Sequence, residues 1–305
     1  ARGTTVQMLD PAAIKKIEVF IPSDKLEQAR ITEILDTLDT KIREIEALIA
    51  KLERIKQGLL TDLTTRGIDQ NGQLRSTPDE ASHLYKDSPL GRIPREWNAV
   101  TLASVSEMVT SGARDWARFY SKEGPKFIRI GNLTREHINF RLDSLIHVQP
   151  PQDGEGQRTR LKVGDVLISI TADLGIIAVV NEGIGEAYIN QHIALVRPRR
   201  EALNARFLGH LVASPTCQKF ISTLNDAGAK SGLNLPTVRN ILVVVPERRE
   251  QDEIQRRLDA IDSRIRGIKT EAAKLRLEKE GLLDDLLTGR VRVTPLLEAK
   301  EQATA

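Results

Sequence analysis

Cysteine is nearly missing: Cys217 is the only one in 305 residues. An internal disulfide framework is therefore excluded, and so is a thiolate zinc site. Aromatic residues supply 4% of the chain, which argues against a core built on large rings and for much long helix. No apolar run approaches the roughly 18 residues that a membrane-spanning helix needs. The first residues, Ala1 to Thr5, carry no signal-peptide pattern. A reduced cytoplasmic protein without a membrane span is expected. There is no initiator Met, so the sequence reads as a fragment or a partly seen product. A strong excess of one charge is also lacking, with 45 Lys+Arg against 42 Asp+Glu for a net of +3. That balance permits an acidic partner without demanding one. A hydrophobic share of 40% is enough for a real core, and the length suggests about two domains.

Catalytic signatures are scarce too. No phosphate-binding GxxxxGK[ST] loop, no HExxH and no Asn-Pro-Pro-aromatic tetrad occurs. The five histidines, His83, His137, His147, His192 and His210, are scattered and form no i, i+4 pair. Pro78-Asp79-Glu80 opens like a nuclease motif but has no matching ExK at useful spacing. Gly183-Ile184-Gly185 is too short for a dinucleotide loop and reads as a hairpin turn. Cys217 sits in a helical run with Phe220 and Ile221 and reads as a core thiol.

What the sequence does have is a repeat. Residues 27–63 and 250–286 align without gaps, with 18 of 37 positions identical. Just upstream, Val19-Phe20-Ile21-Pro22 faces Val243-Val244-Val245-Pro246. Leu9-Asp10-Pro11, Ile14 and Ile17 face Leu233-Asn234-Leu235, Val238 and Ile241. Each copy ends in a short helix, an apolar strand, a proline stop and a long helix. The first seam runs Ile31, Leu35, Leu38, Ile42, Ile45, Ile49 and Leu52, stepping alternately by four and three. It then slips to Ile55, Leu59 and Leu63. The second runs Ile254, Leu258, Ile261, Ile265, Ile268, Ala272 and Leu275, then Leu282 and Leu286. About 40 helical residues make a rod of about 60 Å. A lone rod would leave its apolar stripe wet, so the two are expected to zip together. The competing readings are packing of each rod on its own globular neighbour and dimerisation with other molecules.

Between the rods the pattern shifts. Residues 64–89 read as a polar linker with Arg66-Gly67, Asn71-Gly72 and Thr77-Pro78 turn signals. Strands are expected at 127–130, 144–148, 165–170, 175–180, 192–196 and 241–245, and helices at 206–224 and 235–240. The fold class is α+β: a mixed α/β domain plus two long antiparallel coiled-coil helices. Residues 88–246 hold 19 Lys+Arg against 14 Asp+Glu, a net of +5. Positive charge concentrated on the globular part is the footprint of a nucleic-acid binder. Arginine can grip a guanine edge through two hydrogen bonds, while Ser and Thr reach phosphates or bases. The richest stretch is 110–122, followed by the loops holding Arg129 and 132–135, 157–160 and 230–234. The DNA-contact candidates are Ser111, Arg114, Arg118, Lys122, Arg129, Arg160, Lys230 and Ser231. Arg114 is the first to test as a base reader.

In order along the chain stand Leu90-Gly91-Arg92-Ile93-Pro94-Arg95-Glu96-Trp97, Gly164-Asp165-Val166-Leu167-Ile168-Ser169, Thr171-Ala172-Asp173-Leu174-Gly175, Ile189-Asn190-Gln191-His192-Ile193-Ala194 before Arg197-Pro198, and Leu233-Asn234 leading to Pro246 and Glu250-Gln251. This ordered set resembles the specificity subunit of type I restriction–modification systems, over nearly the whole chain. The resemblance implies two recognition domains held by antiparallel conserved helices, each reading half of a split site in double-stranded DNA. It divides the chain into the end of a first recognition domain (1–22), a central conserved helix (23–66), a linker (67–89), a second recognition domain (90–246), a C-terminal conserved helix (247–288) and a tail (289–305). It further implies that methylation subunits and a restriction/translocase subunit dock on the chain. The chemistry, with S-adenosylmethionine, ATP and magnesium, would be theirs, and this chain would carry no catalytic residue, metal or cofactor. Gly164, Asp165, Asn190 and Gln191 match the pattern and read first as turn and scaffold residues. The rival readings are a half-length specificity protein acting as a homodimer, a coiled-coil protein-interaction scaffold and an independent nuclease.

Overall fold

A computed structural model describes residues 20–112, 114–151, 154–226 and 232–297. The repeat partners before residue 20 lie outside the described residues. A 41-residue helix, α1 (Lys25–Thr65), comes first. Strands β1 (Tyr85–Ser88), β2 (Gly91–Pro94), β3 (Asn98–Thr101), β4 (Ser106–Ser111), β5 (Tyr120–Ile128) and β6 (Ile146–Val148) follow. After the short helix α2 (Gly154–Thr159) come β7 (Val166–Ser169), β8 (Ile177–Val179), β9 (Ala187–Ile189) and β10 (Ile193–Pro198). The chain then forms α3 (Ala205–Ala213), α4 (Pro215–Asp226), α5 (Leu235–Arg239), β11 (Leu242–Val245) and the 40-residue α6 (Arg248–Leu287). It divides into two compact units, one of residues 1–53 with 264–305 and the other of residues 54–263.

In the first unit α1 and α6 pack antiparallel. Ile31, Ile42 and Leu52 of the predicted seam are buried, as are Ile265, Ala272 and Leu286. Flanking ion pairs fix the direction: Glu27–Arg292 at 2.6 Å, Asp39–Lys279 at 2.5 Å, Glu46–Arg276, and Glu53–Lys269 at 2.8 Å. Each step up one helix is matched by a step down the other. Ile31, Leu286 and Val293 close the end, with Ile34, Leu35 and Leu282 against them. Glu27 is 1% exposed and takes both Nε and Nη2 of Arg292 at 2.6 Å. That guanidinium holds the Glu27 carboxyl below the usual carboxylate range.

The second unit is built around an antiparallel sheet of order β4-β10-β7-β8. Strands β7, β8 and the first part of β10 read as nearly continuous apolar runs because both their faces are covered, whereas β4 at the edge is mixed. Alternation sends Val166, Ile168, Ala194 and Val196 into one core and Leu167, Ile193 and Leu195 into another. The first core is shared with α3, with Val238 of α5, and with Leu60, Leu63, Ile254 and Leu258 from the long helices. The second is capped by Ile128 of β5 and Ile189 of β9, which pair in parallel in a separate sheet of order β6-β5-β9. A β1–β2 hairpin and a β3–β11 pair complete the strands.

Four expectations need correction. Ile55 does not continue the seam; it is 46% exposed, and Lys56 is buried in its place at 8%. Lys56 Nζ reaches Asp262 Oδ1 at 2.6 Å and donates to the carbonyl of Glu136. Residues 64–89 are a folded segment rather than a free linker. Ile68 and Tyr85 are buried, and the Tyr85 hydroxyl donates to the Ser76 carbonyl at 2.6 Å. The 206–224 helix breaks at Ser214, whose ψ is 151°, because Pro215 disfavours a helical residue before it. Gly183–Gly185 is no hairpin turn: a 3-10 turn (Glu182–Ile184) carries the chain from β8 to β9, strands of different sheets.

Two carboxylates tie the α6 helix to this unit. Glu250 accepts from Arg75 Nη1, from Ile68 N at 2.8 Å and from Trp97 Nε1 at 3.0 Å. Gly67 turns there with φ +62°, and a Cβ on it would lie 2.2 Å from Glu250 Oε1. Asp259 receives Arg206 through two 2.6 Å bonds and His210 Nε2 at 2.8 Å. Burial pushes its carboxyl up, but the bonds from His210 and Arg206 outweigh that and hold it well below the usual range.

Candidate nucleic-acid interface

The stretch singled out for its cations is organised by aromatic rings. β4 ends at Ser111, which pairs with Ala194 of β10. Gly112 then passes so close to β9's exit that a Cβ would meet the Asn190 carbonyl oxygen at 2.1 Å. Residue 113 lies outside the described residues. Asp115 takes a left-handed conformation with φ 61°, which Asp tolerates better than most residues. A 3-10 turn (Trp116–Phe119) follows, and it buries Trp116 to 2% exposure. The Trp116 ring stacks on Phe127 at 5.5 Å and 12°, tilts against Tyr188 at 5.5 Å, and meets Phe119 edge-on at 5.9 Å. Tyr120 leans on Phe127 at 5.7 Å and remains 44% exposed. These rings form a rigid base beneath the segment, because stacked and edge-to-face pairs add directional attraction to burial.

Arg114, Arg118 and Lys122 are all exposed on this segment. The Arg118 guanidinium lies 4.8 Å from the Phe119 ring centroid. Lys122 sits in a bulge of β5, where both Ser121 and Lys126 oppose His147 and residues 122–125 are extra. Arg160 bridges to Tyr188 through the backbone, and its Nε lies 3.6 Å from Glu186 Oε1. That same oxygen accepts from the Tyr188 hydroxyl at 2.7 Å. Burial and this acceptor push the Tyr188 phenol up to about 12, so the hydroxyl stays a donor. Arg129, at the end of β5, is half-buried, and its Nε is buried with no hydrogen-bond partner among the described residues. Ser111 is half-buried, and its carbonyl accepts from Arg158. Asp115 and Glu123 are exposed in the same segment, so the face is not uniformly basic.

Ser111, Arg114, Arg118, Lys122, Arg129 and Arg160 are thus gathered around the β4 end and the β6-β5-β9 sheet. Lys230 and Ser231 lie outside the described residues. Residues 157–160 are not a free loop: Gly154–Thr159 is helical, and Arg158 Nη1 turns inward to Thr110 Oγ1 at 2.6 Å. The aromatic base and Glu186 were missed by sequence reasoning; nothing in the local pattern announces that Tyr188 meets Trp116.

The residues read as scaffold behave accordingly. Asp165 is buried and clasps Arg197 through two 2.7 Å bonds, and its other contact is the Lys162 amide at 2.7 Å. Burial pushes its carboxyl up against the opposing pull of Arg197. Gly164 turns with φ +88°, and Asn190 Oδ1 accepts from the His192 amide at 3.2 Å. Gln191 Nε2 lies 3.0 Å from His192 Nε2, whose Nδ1 is 2.7 Å from Thr171 Oγ1. Burial pushes the Cys217 thiol up to about 12, so it is no thiolate nucleophile at neutral pH. Among the described residues no three His, Cys, Asp or Glu side chains converge as metal ligands. No described helix is long and apolar enough to cross a membrane.

Comparison with known proteins gives this arrangement a family. The model for the type I restriction modification DNA specificity domain matches residues 94–277. The specificity subunit of the type I restriction enzyme MjaVIII of Methanocaldococcus jannaschii is 25% identical over 304 residues, covering 97% of this chain and 67% of that protein. The EcoBI specificity subunit of Escherichia coli is 23% identical over 270 residues, covering 85% of this chain and 54% of its own length. The chain therefore spans about two thirds or less of these relatives. Among solved structures, the type I S subunit from M. genitalium superposes with a TM-score of 0.57 at 19% identity, over 94% of this chain and 67% of that one. A chain from the study of complex assembly and conformational transition of the type I R-M system gives 0.51 at 21% identity, over 87% and 60%. The folds agree with the α+β arrangement of strands and paired long helices described above. The matched span covers more than half of the sequence, and the chain belongs to the type I restriction–modification DNA specificity family.

Proposed function

We propose that this chain is a non-catalytic DNA-reading subunit that selects one half of a bipartite double-stranded site for a type I restriction–modification complex. The observation that carries this reading is the aromatic base that anchors the segment bearing Arg114, Arg118 and Lys122, with Arg118 over Phe119 and Arg160 tied to the base through Glu186 and Tyr188. It holds cations outward on a domain of net charge +5 within a family named for DNA specificity. The contact set is Ser111, Arg114, Arg118, Lys122, Arg129, Arg160, Lys230 and Ser231. Methylation subunits and a restriction/translocase subunit supply catalysis with S-adenosylmethionine, ATP and magnesium, and the complex works in the cytoplasm. Pairing of α1 with α6 of the same chain supports a single-chain spacer over a homodimer of half-length proteins.

The test is co-purification of the chain with a methylation subunit, followed by mapping of modified genomic sites. A split motif is expected, and replacing residues 100–240 should change one half of it. Duplex affinity should also fall steeply with salt, with a log–log slope of about −0.9 per phosphate contacted. A chain that binds duplex DNA with no salt dependence, or not at all, would instead be a protein-binding scaffold. Light scattering separates the homodimer, and magnesium-dependent cleavage by the pure chain would mark a nuclease.

A further inference from the structure

The cations of the proposed face differ in how the fold holds them. Arg160 is engaged by Glu186, and Arg129 has its Nε buried. Arg114 follows an undescribed residue and precedes the left-handed Asp115, with no ring beneath it. Lys122 stands on a four-residue bulge, and an ammonium offers a point charge rather than a fork. Arg118 alone among the described cations of this face lies over an aromatic ring while its N–H donors engage no described acceptor. Its guanidinium lies over Phe119, Phe119 meets Trp116 edge-on, and Trp116 stacks on Phe127 of β5. A cation–π contact restricts where the guanidinium sits without using its N–H donors. Bidentate recognition of guanine O6 and N7 requires that combination, because two parallel bonds must be aimed together. A phosphate contact needs only nearby positive charge.

We propose that Arg118 is a base-reading residue of this face, presenting the guanidinium held over Phe119 to a guanine edge in the major groove, while Arg114 and Lys122 hold phosphates. The proposal rests on the DNA-reading function above and replaces Arg114 as the first candidate. Phe119 is a positioning residue that acts through Arg118.

The test uses the full chain and a pool of duplexes with a randomised centre. Sequences selected by the wild-type chain give a consensus duplex, and a scrambled duplex of equal length is the control. Arg118→Lys keeps the charge and removes the fork. It should lower the preference for consensus over scrambled duplex by about tenfold to a hundredfold, confined to one G·C position. Affinity for the scrambled duplex and the salt slope should not change. Phe119→Leu should relax the same position by about two- to fivefold. Lys122→Ala should weaken both duplexes equally and reduce the slope by about 0.9. Undiminished preference in Arg118→Lys, or an equal loss on both duplexes, overturns the assignment. Arg118 is exposed, so its variants should melt with the wild type; Arg118→Gln provides a second side chain without the fork. If the wild-type chain selects no consensus, the DNA-reading function falls together with the inference.

Discussion

Replacing Lys56 with Met should destabilise residues 54–263 severely, and adding Asp262→Leu should undo the damage. Lys56 and Asp262 have side chains 11% and 2% exposed and lie 2.6 Å apart at the point where the helical seam departs from hydrophobic residues. Asp262 Oδ2 is buried with no hydrogen-bond partner among the described residues, so this carboxylate depends on its cation. Removing the lysine leaves an uncompensated buried charge, which costs about 3–5 kcal/mol. Met conserves most of the stem volume, so the loss is electrostatic rather than steric. Replacing both partners with apolar side chains removes the desolvation penalty together with the attraction, and such exchanges are neutral or stabilising by about 1–4 kcal/mol. The Glu136 carbonyl then loses its donor, which trims the recovery by about 1 kcal/mol. Urea unfolding followed by circular dichroism, on the single and double variants, gives both numbers. A single variant within about 1 kcal/mol of wild type would refute the reasoning. So would a double variant as unstable as the single, since the loss would then be one of packing.

Three further outcomes follow from groups already described. Glu250→Ala strands the Ile68 amide, the Trp97 indole N–H and Arg75, and should cost ~3 kcal/mol or more in the same assay. Asp259 has a depressed carboxyl pKa in the fold, so its stabilisation is complete above about pH 4, the unfolded value, and is lost as pH falls through the lower folded value. Asp259→Asn should therefore lower stability at neutral pH and flatten the acid limb of a stability–pH curve; an unaltered acid limb would exclude this linkage. Native Cys217 should resist iodoacetamide at pH 8 and react once the chain is unfolded in urea, because its thiol is buried and shifted up to about 12.

The long helices were legible because a seam from Ile31 to Leu52 keeps its period and its partner shares the same pattern. Legibility ended at Lys56. Hydrophobicity favours Ile55 there, and the reason for burying a lysine sits on the other helix, at Asp262. Segment 64–89 misled for a related reason: its polar residues satisfy each other and Glu250, so few apolar anchors, Ile68 and Tyr85, suffice to fold it. The break at Ser214 did carry a local signal, Pro215, and could have been read. The apolar strands were legible as strands, though their division among three separate sheets was not. The cation-rich stretch was visible by composition. The difference between Arg118 and Arg114 was not, because the Phe119 ring under Arg118 is held against Trp116, which rings from β5 and β9 fix in place.

The carboxylates that begin the two long helices say something about how a duplicated chain ages. Glu27 and Glu250 occupy the same position in their copies, and each is met by an arginine lying beyond the end of the opposite helix. The arginines are not counterparts: Arg292 comes three residues after Gly289, whereas Arg75 comes eight after Gly67. The two copies therefore share the acceptor's position but not the donor's. A change of length in the segments past Gly67 and Gly289 should cost less than one at the helix starts, because a long flexible arginine can span a shift in spacing while the carboxylate at the helix start is fixed by its helix.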